Sequence, residues 1–268
     1  MWFPQDSAAN WTQAETHLRA ASPHLARAID LVGPCTLAPR KDYFVVLCKA
    51  IFTQQISTAV ATVLFGRFRD KFPSRRPTPA LVLDAMNRDP EYFAGCGLSH
   101  QKRRYVRDLA EHFATNQIPT RKLAAMSDED VIDALVKVKG IGSWTAEMFL
   151  IFNLNRPDVL PVDDLGLQQG AQKIFGLKKV PDKKALTKMA EPWRPYRSIA
   201  TWYIWRGVSK MNELKKANAN GDGVPAIAEA PPAAALATGG AGGASASRPR
   251  RSPAAKRSPA PVRRSRSR

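Results

Sequence analysis

Apolar residues recur at intervals of three or four along most of the chain, with charged residues between them, which is the spacing that one buried face of an α-helix produces. Alternating apolar and polar positions, the pattern of a half-buried strand, are scarce. The pattern therefore predicts an all-α fold. The predicted helical segments are residues 15–31, 43–68 (one helix or a pair), 102–112, 145–152, 165–175 and 196–211, together with a helix that Ser127 opens.

Two of these segments carry more specific predictions. The segment 43–68 is the most apolar, so we expect it to be the most buried, with Val60 and Val63 among its inward-facing positions. Ser127 can cap a helix by accepting a backbone N–H, and acidic residues after it favour the positive end of that helix. Val136 is then expected to face inward with the other apolar residues of the same helix.

The composition changes near Ala217 to alanine, glycine, proline and serine, and large apolar residues nearly vanish. Such a segment buries too little surface to offset the entropy of ordering it. We therefore expect a globular domain over residues 1–212 and a disordered Ala/Pro/Arg-rich basic tail over residues 213–268. The tail is either a solubilising extension or a segment that attracts nucleic-acid phosphates, and in a eukaryote it can also serve as a nuclear import signal.

The net charge of +18 at pH 7 points to a polyanionic partner, and nucleic acid is the first candidate. Nine Arg or Lys residues and no acid lie in residues 248–268, which leaves +9 for the rest of the chain. The globular part is therefore basic in its own right.

Cysteine usage and apolar runs restrict the compartment and the cofactors. The three cysteines, Cys35, Cys48 and Cys96, are widely spaced, which suits free thiols in a reducing compartment. An iron–sulfur cluster is not expected, because it takes four close cysteines. The N-terminus has no signal-peptide pattern and no run is long enough to cross a membrane. We expect a soluble protein with no membrane partner, cytoplasmic or nucleoid-associated in a bacterium and nuclear in a eukaryote.

The most informative stretch is a short loop between two helical patterns, Gly140-Ile141-Gly142. The two glycines allow backbone conformations that a side chain forbids, and they let a phosphate approach the backbone amides. The helix that follows presents unpaired N–H groups and a partial positive charge, to which Lys137 and Lys139 add. A Gly-x-Gly alone is usually only a connection between helices. In this setting it predicts a helix–hairpin–helix that binds the DNA backbone without reading sequence.

The sequence Leu-Pro-Val-Asp-Asp-Leu-Gly at 160–166 places Asp164 twenty-two residues after Gly142. Together with the hairpin, it resembles the helix–hairpin–helix (HhH-GPD) DNA glycosylase superfamily, whose fold is a compact two-lobed helical bundle. Further segments resemble one branch, the 3-methyladenine DNA glycosylase II (AlkA-type) enzymes. These segments are residues 51–57, 97–102 with Tyr105, 192–198 and 202–205.

The chemistry implied by this resemblance requires a carboxylate. Cleavage of an N-glycosidic bond passes through an oxocarbenium-like sugar, whose positive charge a carboxylate stabilises. Asp163 and Asp164 are both candidates; Asp163 can instead cap the helix that begins near Leu165, or both can share the capping role. By resemblance, Asp164 is the catalytic residue.

The resemblance also assigns a pocket for the flipped base. Related bifunctional enzymes carry a nucleophilic lysine two residues after the second glycine of the hairpin, where this chain has Trp144. Hydrolysis without a lyase step is therefore expected. Trp144 offers a π-face to a cationic alkylated base, and Trp205 resembles the family position that stacks on it. Tyr203 is the third predicted pocket residue, whereas Trp193 and Trp202 are expected in the core.

Two further assignments rest on resemblance. A flipped base leaves a gap that a side chain must fill. The wedge position falls on Gln55, beside Gln54, and both are predicted to contact DNA; an ordinary place in a helix turn is the alternative for Gln55. No cofactor is required, but family hairpins hold Na⁺ or K⁺ through backbone carbonyls. In this chain those carbonyls belong to Val136, Val138 and Ile141.

The sequence thus predicts a monofunctional DNA glycosylase of base excision repair. It is expected to act as a monomer on double-stranded DNA with damaged bases, such as 3-methyladenine or 7-methylguanine, and to leave an abasic site. One alternative is a non-catalytic helix–hairpin–helix protein that only binds DNA. A second is an architectural protein that binds through its basic tail.

Overall fold

The computed structural model describes residues 11–220, which form eleven α-helices and four short 3₁₀ turns with no strand among them. The predicted all-α fold is confirmed. The helices are α1 (Thr12–Ala21), α2 (Pro23–Val32), α3 (Tyr43–Thr53), α4 (Thr58–Asp70), α5 (Pro79–Arg88), α6 (His100–Ala114), α7 (Asp128–Val136), α8 (Ser143–Phe152), α9 (Leu165–Phe175), α10 (Lys183–Ala190) and α11 (Arg197–Asn220).

Side-chain caps set where many of these helices begin. Ser127 accepts the N–H of the third residue of α7 at 3.0 Å, as predicted. Asp164 caps α9 in the same way. Ser22 caps α2 and Pro23 follows it, so the predicted segment 15–31 is two helices rather than one.

The segment 43–68 is a helix pair, α3 and α4. Most of α3 is buried, as expected, but Val60 and Val63 of α4 are 49% and 56% exposed, so their predicted inward placement is wrong. The helix packs through Phe65 and Phe68 instead, whose rings contact other buried phenylalanines. Because α4 is apolar on more than one side, its sequence did not show which side would be covered.

Smaller differences between the predicted and the observed helices concern α5, α7 and α10. Val136, the last residue of α7, is 40% exposed, whereas the preceding Leu135 is fully buried, so the predicted inward placement of Val136 is also wrong. The prediction contains neither α5 nor α10, although Thr78 and Asp182 cap them.

The helices form two groups, in line with the two-lobed bundle. In one group α3 packs against α4 and α6, α6 packs against α5, and α7 pairs with α8. In the other group α11 packs against α1, α2 and α9, and α10 packs against α9. The connection from α8 to α9 joins the groups, which places the start of α9 at their junction.

The last helix, α11, continues through Asn220, beyond the predicted domain boundary at residue 212. The rest of the predicted tail, residues 221–268, lies outside the described residues, as do residues 1–10. Within residues 11–220, no helix combines the length and apolar character needed to cross a membrane.

Candidate active site

The Asp164 carboxylate is buried at the junction of the two helix groups and accepts three N–H groups. The residue is only 2% exposed. Its Oδ1 accepts the backbone N–H of Leu167 at 2.5 Å and the indole N–H of Trp205 at 3.1 Å. Its Oδ2 accepts the indole N–H of Trp144 at 2.8 Å. These charge-assisted hydrogen bonds fix the carboxylate from three directions. Asp164 therefore caps α9 and is also held by two of the predicted pocket residues.

The four tryptophans named in the sequence analysis lie in two different environments. Trp144 on α8 is half-buried, and Trp205 on α11 is buried and stacks on Phe152 with ring centroids 5.8 Å apart. Both belong to one site because they donate to the same carboxylate. Trp193 and Trp202 are buried in the core, as expected.

Tyr203 does not belong to this site, so its predicted place in the base pocket is wrong. The residue is fully buried; its hydroxyl donates to Glu15 Oε1 at 2.7 Å, and its oxygen also lies 3.1 Å from the carbonyl oxygen of Gly33. Residues two apart on a helix are rotated by about 200° from each other around the helix axis, so their side chains lie on nearly opposite sides. Tyr203 therefore faces α1 and the end of α2, while Trp205 faces Asp164.

The neighbouring Asp163 has a different environment. Its carboxylate is half-exposed and forms an ion pair with Lys183 of α10. Of the two candidate aspartates, Asp164 is thus the one that lies buried among indole groups.

Glu147 is a third carboxyl group near this pair, and the sequence-based prediction missed it. It is half-buried on α8, three residues after Trp144. Burial, followed by the negative charges of Asp163 and Asp164, raises the pKa of Glu147 from 4.5 to about 7. Residues three apart share one side of a helix. The spacing between Trp144 and Glu147 was therefore a signal that could have found it.

The raised pKa of Glu147 predicts a pH-dependent loss of stability. The folded protein favours the neutral carboxyl of Glu147. The contribution of this group to the free energy of unfolding is therefore fully present below about pH 4.5 and is lost as the pH rises to about 7. The permanently neutral variant Glu147→Gln should unfold like the wild type in urea at pH 4. At pH 8 it should be more stable by about 1–2 kcal/mol, a value reduced for the partial exposure of the side chain. An equal difference at both pH values would contradict the assignment.

The hairpin between α7 and α8 leaves the first turn of α8 without a side-chain cap. Gly142 occupies the capping position and, unlike Ser127 or Asp164, offers no side-chain oxygen. The first N–H groups of α8 can therefore bind an anion. Of the two hairpin glycines, only Gly140 has a positive φ, +85°, and a Cβ there would lie 2.2 Å from the ring of Tyr105. The predicted conformational need for glycine thus holds for Gly140 alone, whereas Gly142 has φ −99° and open space beside it.

The other hairpin residues divide between the core and the surface. Ile141 is 4% exposed and anchors the loop in the core. The backbone N–H of Lys139 donates to Asp108 Oδ2 at 2.8 Å, and its ammonium lies 3.4 Å from Oδ1 of the same carboxylate. The Lys139 side chain is nevertheless 65% exposed, which leaves it accessible to a phosphate.

The turn between α3 and α4 lies against this hairpin. The side-chain amide of Gln54 donates to the carbonyl of Gly140 at 2.6 Å. Gln55, the next residue, is exposed and has φ +59°. The structure therefore brings Gln54 into contact with the predicted phosphate-binding loop, and Gln55 follows it on the exposed side of the turn.

The buried carboxylate, the uncapped hairpin and the helical fold together define a class of protein. The family model described as "HhH-GPD superfamily base excision DNA repair protein" matches residues 48–195, more than half of the chain. The chain belongs to this family, which confirms the resemblance drawn from the sequence.

Individual relatives carry more specific names. DNA-3-methyladenine glycosylase 1 of Schizosaccharomyces pombe is 36% identical over 210 residues, which cover 76% of this chain and 90% of that protein. A solved structure of that yeast's 3-methyladenine DNA glycosylase in complex with abasic DNA matches with a TM-score of 0.65 and 35% identity, covering 72% of this chain and 95% of that one. DNA-3-methyladenine glycosidase from Bacillus halodurans matches with a TM-score of 0.66 and 30% identity, covering 79% of this chain and 94% of that one.

Proposed function

We propose that this chain is a DNA glycosylase that acts as a monomer on damaged double-stranded DNA. It would flip alkylated bases out of the helix, hydrolyse their N-glycosidic bond and leave an abasic site. The observation that carries the proposal is the Asp164 carboxylate, buried and oriented by Trp144 and Trp205. The relatives named above support the alkylated substrate, since their names refer to 3-methyladenine.

The geometry suits a reaction that develops positive charge on the sugar. A fixed carboxylate in a water-poor site stabilises an oxocarbenium-like transition state far better than a mobile, solvated one does. A base alkylated on a ring nitrogen is cationic and leaves as a neutral molecule, so its departure needs no general acid. The half-buried Trp144 offers an aromatic face, and aromatic faces attract cationic bases.

The experiment that tests this proposal is an excision panel. Duplexes with a single 3-methyladenine, 7-methylguanine, ethenoadenine or hypoxanthine are incubated with the full chain, and free base is measured by chromatography. We expect release from the cationic alkylated bases in particular, with one protein bound per lesion. Binding of DNA with no base released from any lesion would favour the non-catalytic alternative.

We also propose that the enzyme is a hydrolase without lyase activity, since Trp144 occupies the position at which bifunctional relatives carry a lysine. Borohydride added during turnover reduces and traps a Schiff base between enzyme and DNA. We expect free base in this reaction but no protein–DNA adduct on a denaturing gel. The released base is the internal control for activity, and an adduct would overturn this part of the proposal.

We propose further that the hairpin carbonyls of Val136, Val138 and Ile141 hold Na⁺ or K⁺ beside the DNA phosphate. Within residues 11–220, the carbonyls of Val136 and Ile141 accept no hydrogen bond, and that of Val138 accepts one, from Ile141 N–H at 3.0 Å. Lone pairs therefore remain for a cation, and carbonyl oxygens are suitable ligands for K⁺. Exchange of K⁺ for tetramethylammonium at constant ionic strength should weaken duplex binding, and unchanged binding would rule the cation out.

A further inference from the structure

One side of helix α6 contacts both of the loops that the sequence analysis predicts to contact DNA. We call these loops the wedge turn, residues 53–57, and the hairpin loop, residues 137–143. The contacts come from Lys102, Tyr105 and Asp108, which are spaced by three and lie within about a 120° arc of the helix surface.

Lys102 holds the wedge turn. Its ammonium donates to the carbonyls of Phe52 and Gln54, each at 2.7 Å. These acceptors lie at the end of α3, where a helix leaves carbonyls without partners and where its dipole favours a cation. Burial lowers the pKa of Lys102, and the two hydrogen bonds offset that cost. The contact fixes the backbone from which Gln55 projects.

Tyr105 and Asp108 hold the hairpin loop. The Tyr105 ring lies so close to Gly140 that a Cβ at that position would come within 2.2 Å of it. Asp108 accepts the backbone N–H of Lys139 at 2.8 Å. The Gln54 amide, which donates to the Gly140 carbonyl at 2.6 Å, joins the two loops directly. The loops are therefore tied to each other and to one helix before any DNA is bound.

We propose that Lys102 is a positioning residue for base flipping: through the wedge turn, it sets the distance between Gln55 and the phosphate bound at the hairpin loop. The proposal rests on the proposed function, because a wedge matters only where a base leaves the stack. A wedge turn that is ordered in advance fills the gap with little further loss of entropy. The Lys102 ammonium donates to protein carbonyls, so its effect is exerted through the turn.

The test compares DNA with and without a gap in the stack. Affinities are measured for an intact duplex and for the same duplex with a tetrahydrofuran abasic site, and 2-aminopurine opposite that site reports on insertion of the wedge. We expect Lys102→Met to reduce the preference for the abasic duplex by about tenfold and to reduce the 2-aminopurine change. Arg104→Met is the matched control, since Arg104 is an exposed residue of the same helix. It removes the same charge and should weaken binding to both duplexes equally.

A second variant guards against a loss of folding. If Lys102→Met has no cooperative thermal transition, Gln54→Met removes the direct tie to the hairpin and should lower the abasic preference in the same way. A folded Lys102→Met protein with the wild-type preference would overturn the proposal, as would an equal loss of preference in Arg104→Met.

A double-mutant cycle tests whether Lys102 acts through the wedge. Gln55→Asn shortens the side chain while keeping a residue that tolerates positive φ. If the proposal holds, Lys102→Met should cost little further abasic preference once Gln55 is shortened. Additive losses would show that Lys102 acts elsewhere.

The outcomes separate failure of the proposed function from failure of the positioning role. If the wild type neither releases bases nor prefers abasic DNA, the proposed function itself fails. If the wild type releases bases but Lys102→Met keeps the preference for abasic DNA, only the positioning role fails.

Discussion

Replacement of Asp164 by asparagine is expected to lower the rate of base release by about 10²–10³-fold, the usual cost of removing one preorganised electrostatic group. Asparagine keeps the shape of the side chain and is a good helix cap, so α9 should still form. It lacks the negative charge that stabilises the sugar in the transition state. Single-turnover excision of 7-methylguanine measures the loss directly, because product release does not limit that rate.

The neighbouring aspartate provides the matched control. Asp163→Asn makes the same chemical change one residue earlier, on a half-exposed carboxylate that is paired with Lys183. Its excision rate should remain within a few-fold of the wild type. Affinity for an abasic duplex should be close to wild type in both variants, and a cooperative thermal transition in each should show that the fold is retained, although Asp164→Asn loses an acceptor for a buried indole N–H and should melt lower than Asp163→Asn. A large loss in Asp163→Asn with little loss in Asp164→Asn would reverse the assignment of the catalytic carboxylate.

Alanine substitutions of the two hairpin glycines are expected to have different effects. Gly140→Ala places a Cβ at φ +85°, against the ring of Tyr105. Backbone strain and overpacking should together lower the free energy of unfolding by about 2–4 kcal/mol. For a domain of this size, that loss lowers the melting temperature by about 5–15 °C. Differential scanning calorimetry checks this value.

Gly142→Ala is the control within the same loop. Gly142 has φ −99° and nothing within 4 Å of an added Cβ, so the melting temperature should fall by only about 2–4 °C, the cost of alanine at a capping position. A methyl group at the residue that directly precedes the open N–H groups of α8 narrows the space for a phosphate there, and we therefore expect several-fold weaker duplex binding. A stability loss in Gly142→Ala equal to that in Gly140→Ala would contradict the assignment of these separate roles.

Local signals in the sequence were sufficient for some of the helix starts, whereas the main site residues also needed the family resemblance. Ser127 is a capping residue followed by a helical pattern and caps α7 as predicted, whereas of the two aspartates before α9 it is Asp164, not Asp163, that caps the helix. Trp144 and Asp164 could be paired in advance only because the hairpin and the aspartate loop resemble a known family. The hydrogen bond between them joins positions twenty residues apart, which local propensity does not address.

The errors have identifiable physical causes. The pocket assignment of Tyr203 rests only on its closeness to Trp205 in sequence, and residues two apart on a helix face different directions. Val60 and Val63 are apolar yet exposed, and their burial depends on which side of α4 the rest of the fold covers. The bonds from Lys102 to the wedge turn span about fifty residues, so no periodicity could have indicated them.

The cap that Asp164 forms on α9 bears on when the site becomes ordered. A free aspartate side chain samples several rotamers, and a catalyst that must select one of them on meeting its substrate loses affinity or rate. Here the N–H of Leu167 restricts the side chain as soon as the helix forms. The loss of rotational freedom thus accompanies folding, and the carboxylate is aligned before a damaged strand arrives.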